Sequence, residues 1–356
     1  MLALAVAVKA AALGAAAANG GAMPVSPVLC AVLIGLAWRN LIGVPVRCEA
    51  GLQWAMHGLL RAGIALVGLR LTVTGVTAVA ATAAPVVVVC IVTALLAGAV
   101  ASSALGLPKR LGQLLAVGTA ICGCTAVVAL SPVIKARHHE TAFAVACVVL
   151  FGCVAMLLHP WLAHWLFGSS ALHAGVFLGT AIHDTSQVVG AALIYAQQYD
   201  APEALAAAGA TKLMRNLAIA LLVPAAVWLM RREEGVWGSD NAGKAAMPAF
   251  VLVFVSMIAV RTMGDTFIAP STLHGAWASV LELGHGASDI LLMCGMTAVG
   301  LSVSFGQLRR VGWRPLAAGA SVAAAVTIVS IALTFVSLRW HGPIAAPPTL
   351  ESPLKE

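Results

Sequence analysis

His183 and Asp184 stand side by side in sequence that is otherwise almost wholly apolar, with Gln187 three positions further on. Ionisable groups at such depth in an apolar chain are costly and mark ion or proton paths. Histidine titrates near neutrality and a neighbouring carboxylate tunes it, which suits a group that carries a coupling proton. We therefore assign His183 and Asp184 to coupling. Gln187 is four residues from His183 and shares its face wherever the chain is helical, so it is placed to orient the pair and touch the substrate.

The same stretch has an echo 61 positions earlier. Gly118-Thr119-Ala120-Ile121-Cys122-Gly123-Cys124-Thr125-Ala126-Val127-Val128 matches Gly179-Thr180-Ala181-Ile182-His183-Asp184-Thr185-Ser186-Gln187-Val188-Val189 at both ends, with a hydroxyl (Thr125, Ser186) at one shared place between. Glycines at 118 and 123 let a helix unwind and free backbone N–H groups. A helix restarting after such a break aims its positive end at an anion. Duplicated, Gly-broken polar segments of this kind form the midplane sites of secondary transporters. The expected substrate-binding residues are Thr119, Cys122, Gly123, Thr125, Ser186, Gln187 and Lys135. Arg61, Arg70, Lys212 and Arg215 also border the apolar segments, and among the cations Lys135 and Arg215 are the preferred counter-charges. The other reading of each cation is snorkelling to the interface.

Other chemistry has little footing. Cys122, Cys124 and His183 lack an evident fourth ligand for a soft metal, so no metal and no cofactor is expected beyond a coupling H⁺ or Na⁺. Hydrolase elbows, zinc-protease helices, phosphate loops and dinucleotide fingerprints are missing from the sequence, which argues against an enzyme. The eight cysteines lie mostly inside apolar spans and do not read as a disulfide framework.

The elements that must position these residues are membrane helices. The chain is 61% hydrophobic and 9% charged, with a mean hydropathy of +0.98, against about 25% charged residues in soluble domains. The net charge of +7 sits in short clusters between apolar spans, a topology mark and not a nucleic-acid surface. Nine spans are expected near 2–18, 24–38, 55–73, 76–105, 141–167, 205–230, 247–264, 287–305 and 315–338, with the polar segments 111–135 and 172–196 in addition. This gives an all-α polytopic fold of about 9–11 segments with inverted repeats, one domain over 1–340, and a polar tail from 341 to 356. If both special segments enter and leave on one face, the basic loops all fall on the cytoplasmic side; a discontinuous crossing helix is the other arrangement. Pro108, Pro132, Pro160 and Pro315 mark joints, and 265–285 reads as an external loop. A second echo pairs Val67–Thr72 with Val299–Ser304 at an offset of 232; either the repeats are inverted and partly permuted, or this echo is chance.

Several phrases resemble the YeiH-like family of bacterial inner-membrane proteins, described as sulfate exporters. They are Leu60-Arg61-Ala62-Gly63-Ile64 leading to Gly68-Leu69-Arg70-Leu71-Thr72; Ile121-Cys122-Gly123 before Pro132-Val133-Ile134-Lys135-Ala136; His183 with Gln187-Val188-Val189; Lys212-Leu213-Met214-Arg215; and Gly300-Leu301. Ala120 departs from the family's small hydroxyl residue, and Asp184 from its glutamate. The resemblance implies a dimeric secondary carrier related to bile-acid/sodium and anion–cation antiporter folds, in the bacterial inner membrane. The expected activity is proton-coupled export of a sulfur oxyanion or organosulfonate; the alternatives are a Na⁺-coupled carrier of organic acids and a channel-like pore.

Overall fold

A computed structural model describes residues 26–217, 249–270, 273–308 and 311–341. The expected span 2–18, the latter half of 205–230 and the tail after 341 lie outside the described residues. Every regular element among the described residues is helical. Among the described residues three helices are long and apolar enough to cross a bilayer: Val73–Ala104, His138–Phe167 and Trp313–Trp340. The first has 32 residues, about 48 Å at 1.5 Å per residue, against a hydrocarbon core of about 30 Å. Apolar side chains such as Val92, Leu96, Leu158, Trp165 and Ile328 cover their exposed faces. The molecule is an all-α membrane protein.

In chain order the helices are α1 (Pro27–Leu41), α2 (Val46–Trp54), α3 (Leu60–Val67), α4 (Val73–Ala104), α5 (Lys109–Ala120), α6 (Cys124–Val133), α7 (His138–Phe167), α8 (Ala171–Ala181), α9 (Thr185–Tyr199), α10 (Pro202–Leu217), α11 (Ala249–Met263), α12 (His274–Ser302) and α13 (Trp313–His341). A π-helical turn, Ala55–Leu59, joins α2 to α3 without a break. In a regular α-helix Gln53 and Arg61 would point about 80° apart; absorbing one residue in the wider turn brings them within about 20°.

Both polar segments are hairpins. His164 near the end of α7 stacks on Tyr199 at the end of α9, ring centroids 3.7 Å apart, and α8 begins just after α7 ends. The α8–α9 pair therefore leaves at the end where it entered. Its turn lies at the middle of α7, where the Gln187 amide donates to the Val149 carbonyl at 3.1 Å. The α5–α6 pair folds back as well: Gly118 lies against Val127 of the returning helix and Val148 of α7. Ser131 then bonds Thr141 near the start of α7 at 2.5 Å. The two hairpins thus enter from opposite ends and meet at mid-depth.

Two outer pairs of helices frame them. Gly35 of α1 meets the α12 backbone at Thr297 and Gly300, and Gly68, just past α3, meets the α11 backbone at Phe254. Glycines are needed there because a Cβ would strike the neighbouring main chain. The capping contacts match too: Asn40 of α1 accepts from Phe305 N at 2.8 Å, and Thr262 of α11 accepts from Val73 N at 3.0 Å.

Three expectations change. The stretch 265–285, read as a loop, is helical from His274; its polar residues lower hydropathy but bond within the frame, as Asp265 does in accepting from the Trp277 indole at 3.0 Å. Pro160 lies inside α7 and marks no joint. Gly118 does not unwind the chain but makes room for Val127; the break is at Gly123, with φ of 67°.

Candidate functional site

The hairpin tips are Ile121-Cys122-Gly123 and Ile182-His183-Asp184. Each interrupts a helix, so α5 and α8 end in unpaired carbonyls and α6 and α9 begin with unpaired N–H groups. The carbonyl ends point at α10. Gly175 and Gly179 of α8 lie against Ala204, Ala208 and Thr211 of α10, and this close approach carries Lys212 and Arg215 up to the tips. The Lys212 ammonium donates to Ile121 O at 3.0 Å and Ile182 O at 3.1 Å, and also to His183 O. Arg215 donates to Ala120 O at 2.7 Å, and to Thr119 O and Thr180 O. Both cations are buried, 1% and 0% exposed, and each binds matched carbonyls of the two repeats. A cation is the natural partner for the negative end of a helix. Lys212 and Arg215 therefore hold the backbone, and Arg215 is no longer the preferred counter-charge for a substrate.

The positive ends face the other way, into a cavity of about 530 Å³. Cys122, Cys124 and Thr125 line it from the first tip, and Asp184, Thr185, Ser186 and Gln187 from the second. The opposing wall carries Gln53 and Arg61, with Ser302 at the end of α12 and Ser304 just past it. Val299–Ser304, the second member of the longer-range echo, thus belongs largely to the site.

The two starts differ. Asp184 caps α9, its carboxylate accepting from Ser186 N at 2.9 Å and from the Ser186 hydroxyl. Gly123 at the start of α6 has no side chain to cap with. A Cβ there would lie 2.8 Å from Asp184 Oδ2, so the glycine leaves room for the carboxylate of its counterpart. Asp184 thereby sits beside both helix starts.

Of the residues singled out from sequence, Cys122, Thr125, Asp184, Ser186 and Gln187 line the cavity. Gly123 adjoins Asp184. Thr119 is buried behind the tip and its carbonyl serves Arg215. His183 is 1% exposed, lies away from the cavity lining, and neither ring nitrogen has a hydrogen-bond partner among the described residues. It precedes α9, so it does not share a helix face with Gln187. Lys135 is exposed at the base of the first hairpin, at φ of 49°, where Ala136 N bonds Ser131 O at 2.9 Å; this is a left-handed helix cap. Arg61 is the cation that lines the cavity. The Leu60–Ile64 phrase contained it, but nothing in the sequence ranked it above four other cations. His159 and His173 are buried as well, at 8% and 0% exposure. No cluster able to hold a metal occurs among the described residues.

A helical membrane protein whose two re-entrant tips share one buried cationic clamp is the class that fold and site define. Residues 1–319 match the family model described as Conserved hypothetical protein 698, and the chain belongs to that family. Its relatives include a UPF0324 membrane protein of Pseudomonas putida, 33% identical over 83% of this chain and 81% of the relative. Another from Bacillus cereus is 30% identical over 86% and 85%, and one from Bordetella bronchiseptica 33% over 83% and 88%. No solved structure matches. The YeiH-like resemblance agrees with this family.

Proposed function

We propose that the protein is a secondary transporter of a small anion, a sulfur oxyanion or an organosulfonate, working by alternating access. The observation that carries this reading is the convergence of two helix starts on a mid-depth cavity that also holds Arg61. Free N–H groups and a facing guanidinium suit an anion. The mirrored frame contacts, Asn40 to Phe305 N and Thr262 to Val73 N, support an inverted and permuted repeat, the usual basis of a rocking carrier.

The cavity extends from the tips toward Gln53, Ala142 and Ser304, the end that carries Arg39, Arg47, Arg137 and Arg314. By the positive-inside rule that end is cytoplasmic, so the state is inward-facing, in a multi-pass protein of the inner membrane. The opposite end is closed by Val28, Leu29 and Val32 of α1 packed with Val188, Ala192 and Tyr195 of α9, and by Ser26 donating to Gln197 at 2.6 Å. Asp184 is the group that must be neutralised or displaced when an anion arrives, which couples transport to a proton. His183, behind the tip, is placed to exchange that proton from the closed side. The working unit is taken to be a homodimer.

The test is a thermal-shift screen in detergent, followed by flux in proteoliposomes. Sulfate, sulfite or sulfonates should stabilise the protein by mass action, and Arg61→Gln should remove the shift. Absence of any anion effect would sink the reading. A Na⁺-coupled carrier of organic acids is the second reading, favoured by Asp184 beside a buried Gln187 whose Oε1 has no partner. Uptake that requires Na⁺ and persists without a proton gradient would select it.

A further inference from the structure

The cavity walls differ in chemistry. The polar groups gather at the tips and on Arg61 and Gln53. The α7 wall, by contrast, is wholly apolar: Ala142, Val145, Ala146, Val149 and Leu150 all face the cavity. These residues span nine positions, about 12 Å along the helix. Met56, Leu60 and Ile64 of the opposite helix line it as well.

The polar and apolar parts meet at a defined place. Gln187 bonds the Val149 carbonyl at 3.1 Å, so the tips lie at the deep end of the α7 wall, which runs from there toward the mouth. Gln187, 2% exposed, gives its amide N–H groups to Val149 O and Cys153 Sγ and fixes the second tip against α7, while α6 starts without a side-chain cap. The uncapped N–H groups of α6 therefore open on the deep end. The volume, about 530 Å³, falls in the range of roughly 300–1,000 Å³ of sites for organic ligands. A compact inorganic oxyanion would use the deep end alone and leave the apolar wall without a partner.

We propose that the substrate is an organic sulfonate with an apolar chain of several carbons. The head sits between the start of α6 and Arg61, beside an Asp184 that has taken up its proton, and the chain lies along Val149 and Val145. This rests on the anion-carrier reading and names the class of anion.

The experiment measures binding of sulfate and of methane-, propane- and hexanesulfonate to the full-length protein in detergent, by thermal shift and by competition in proteoliposome flux. Affinity should rise by about three- to four-fold for each methylene that reaches the wall. Val145→Ser should flatten that rise while leaving methanesulfonate binding unchanged, and Arg61→Gln should weaken every sulfonate. Sulfate or methanesulfonate binding as tightly as hexanesulfonate would overturn the inference and leave an anion carrier standing. A chain-length rise that survives Val145→Ser and Arg61→Gln alike would assign it to the detergent phase and overturn the inference as well. No response to any of the four anions would remove both the inference and the reading beneath it.

Discussion

The two tips interrupt their helices at equivalent positions and differ there in backbone and in side chain. At the first, Gly123 turns the chain with a positive φ and offers nothing beyond its α-carbon. At the second, Asp184 sits in extended backbone and caps the helix it starts. The positions are equivalent, 61 residues apart, and they touch. One carboxylate therefore serves where a symmetric duplication would place two, and two would repel at that distance. The two tips share their place in the scaffold of the site, and its chemistry comes from where they differ. The carbonyl side diverges less: Lys212 bonds Ile121 O and Ile182 O alike, and Arg215 bonds Thr119 O and Thr180 O.

The comparison is most severely tested at the shared clamp. Arg215→Ala removes the buried partner of carbonyls on both tips and should cost at least about 3 kcal/mol, by analogy with breaking a buried pair. Melting in detergent should show a large fall or no folded protein, with Arg215→Lys intermediate. An unchanged melting temperature would mean that the tips do not depend on a common clamp.

Gly123→Ala should cost about 1–3 kcal/mol through backbone strain, plus a clash with Asp184. If the two positions meet as described, Asp184→Gly in that background recovers the steric part. Strict additivity of the two single changes would break the link between the tips, because coupled neighbours show interaction energies of about 0.5–3 kcal/mol.

The smallest change in stability is expected from Asp184→Asn. Asparagine caps a helix as well as aspartate, so melting should move by under about 0.5 kcal/mol, while flux should lose its dependence on a proton gradient. Retained proton dependence would move the coupling role away from Asp184 and toward His183.

Much of this arrangement was legible in the amino-acid order. The echo located both breaks, and the clustering of basic residues favoured hairpins over crossing helices, which the Tyr199–His164 stack bears out. The direction of a side chain was not legible. Lys212, Arg215, Lys135 and Arg61 are equivalent as letters beside an apolar run; only packing decides that two clamp carbonyls, one lies at a helix cap and one lines the cavity. The helical start of α12 was missed because its polar residues bond to the frame, so that hydropathy resembles that of a loop. Gly118 and Gly123 look alike in sequence, yet one makes room for a neighbour and the other turns the chain.

The π-turn at Ala55–Leu59 makes helix winding a determinant of the site. Rewound as a regular α-helix with every residue kept, the segment would turn α2 by about 100° relative to α3, and Gln53 would swing off the cavity while Arg61 kept its place opposite the tips. Deleting one residue there would instead restore a regular helix with Gln53 and Arg61 still within about 20° of one another. The wider turn is thus a one-residue allowance in chain length that keeps the companion of Arg61 on the cavity.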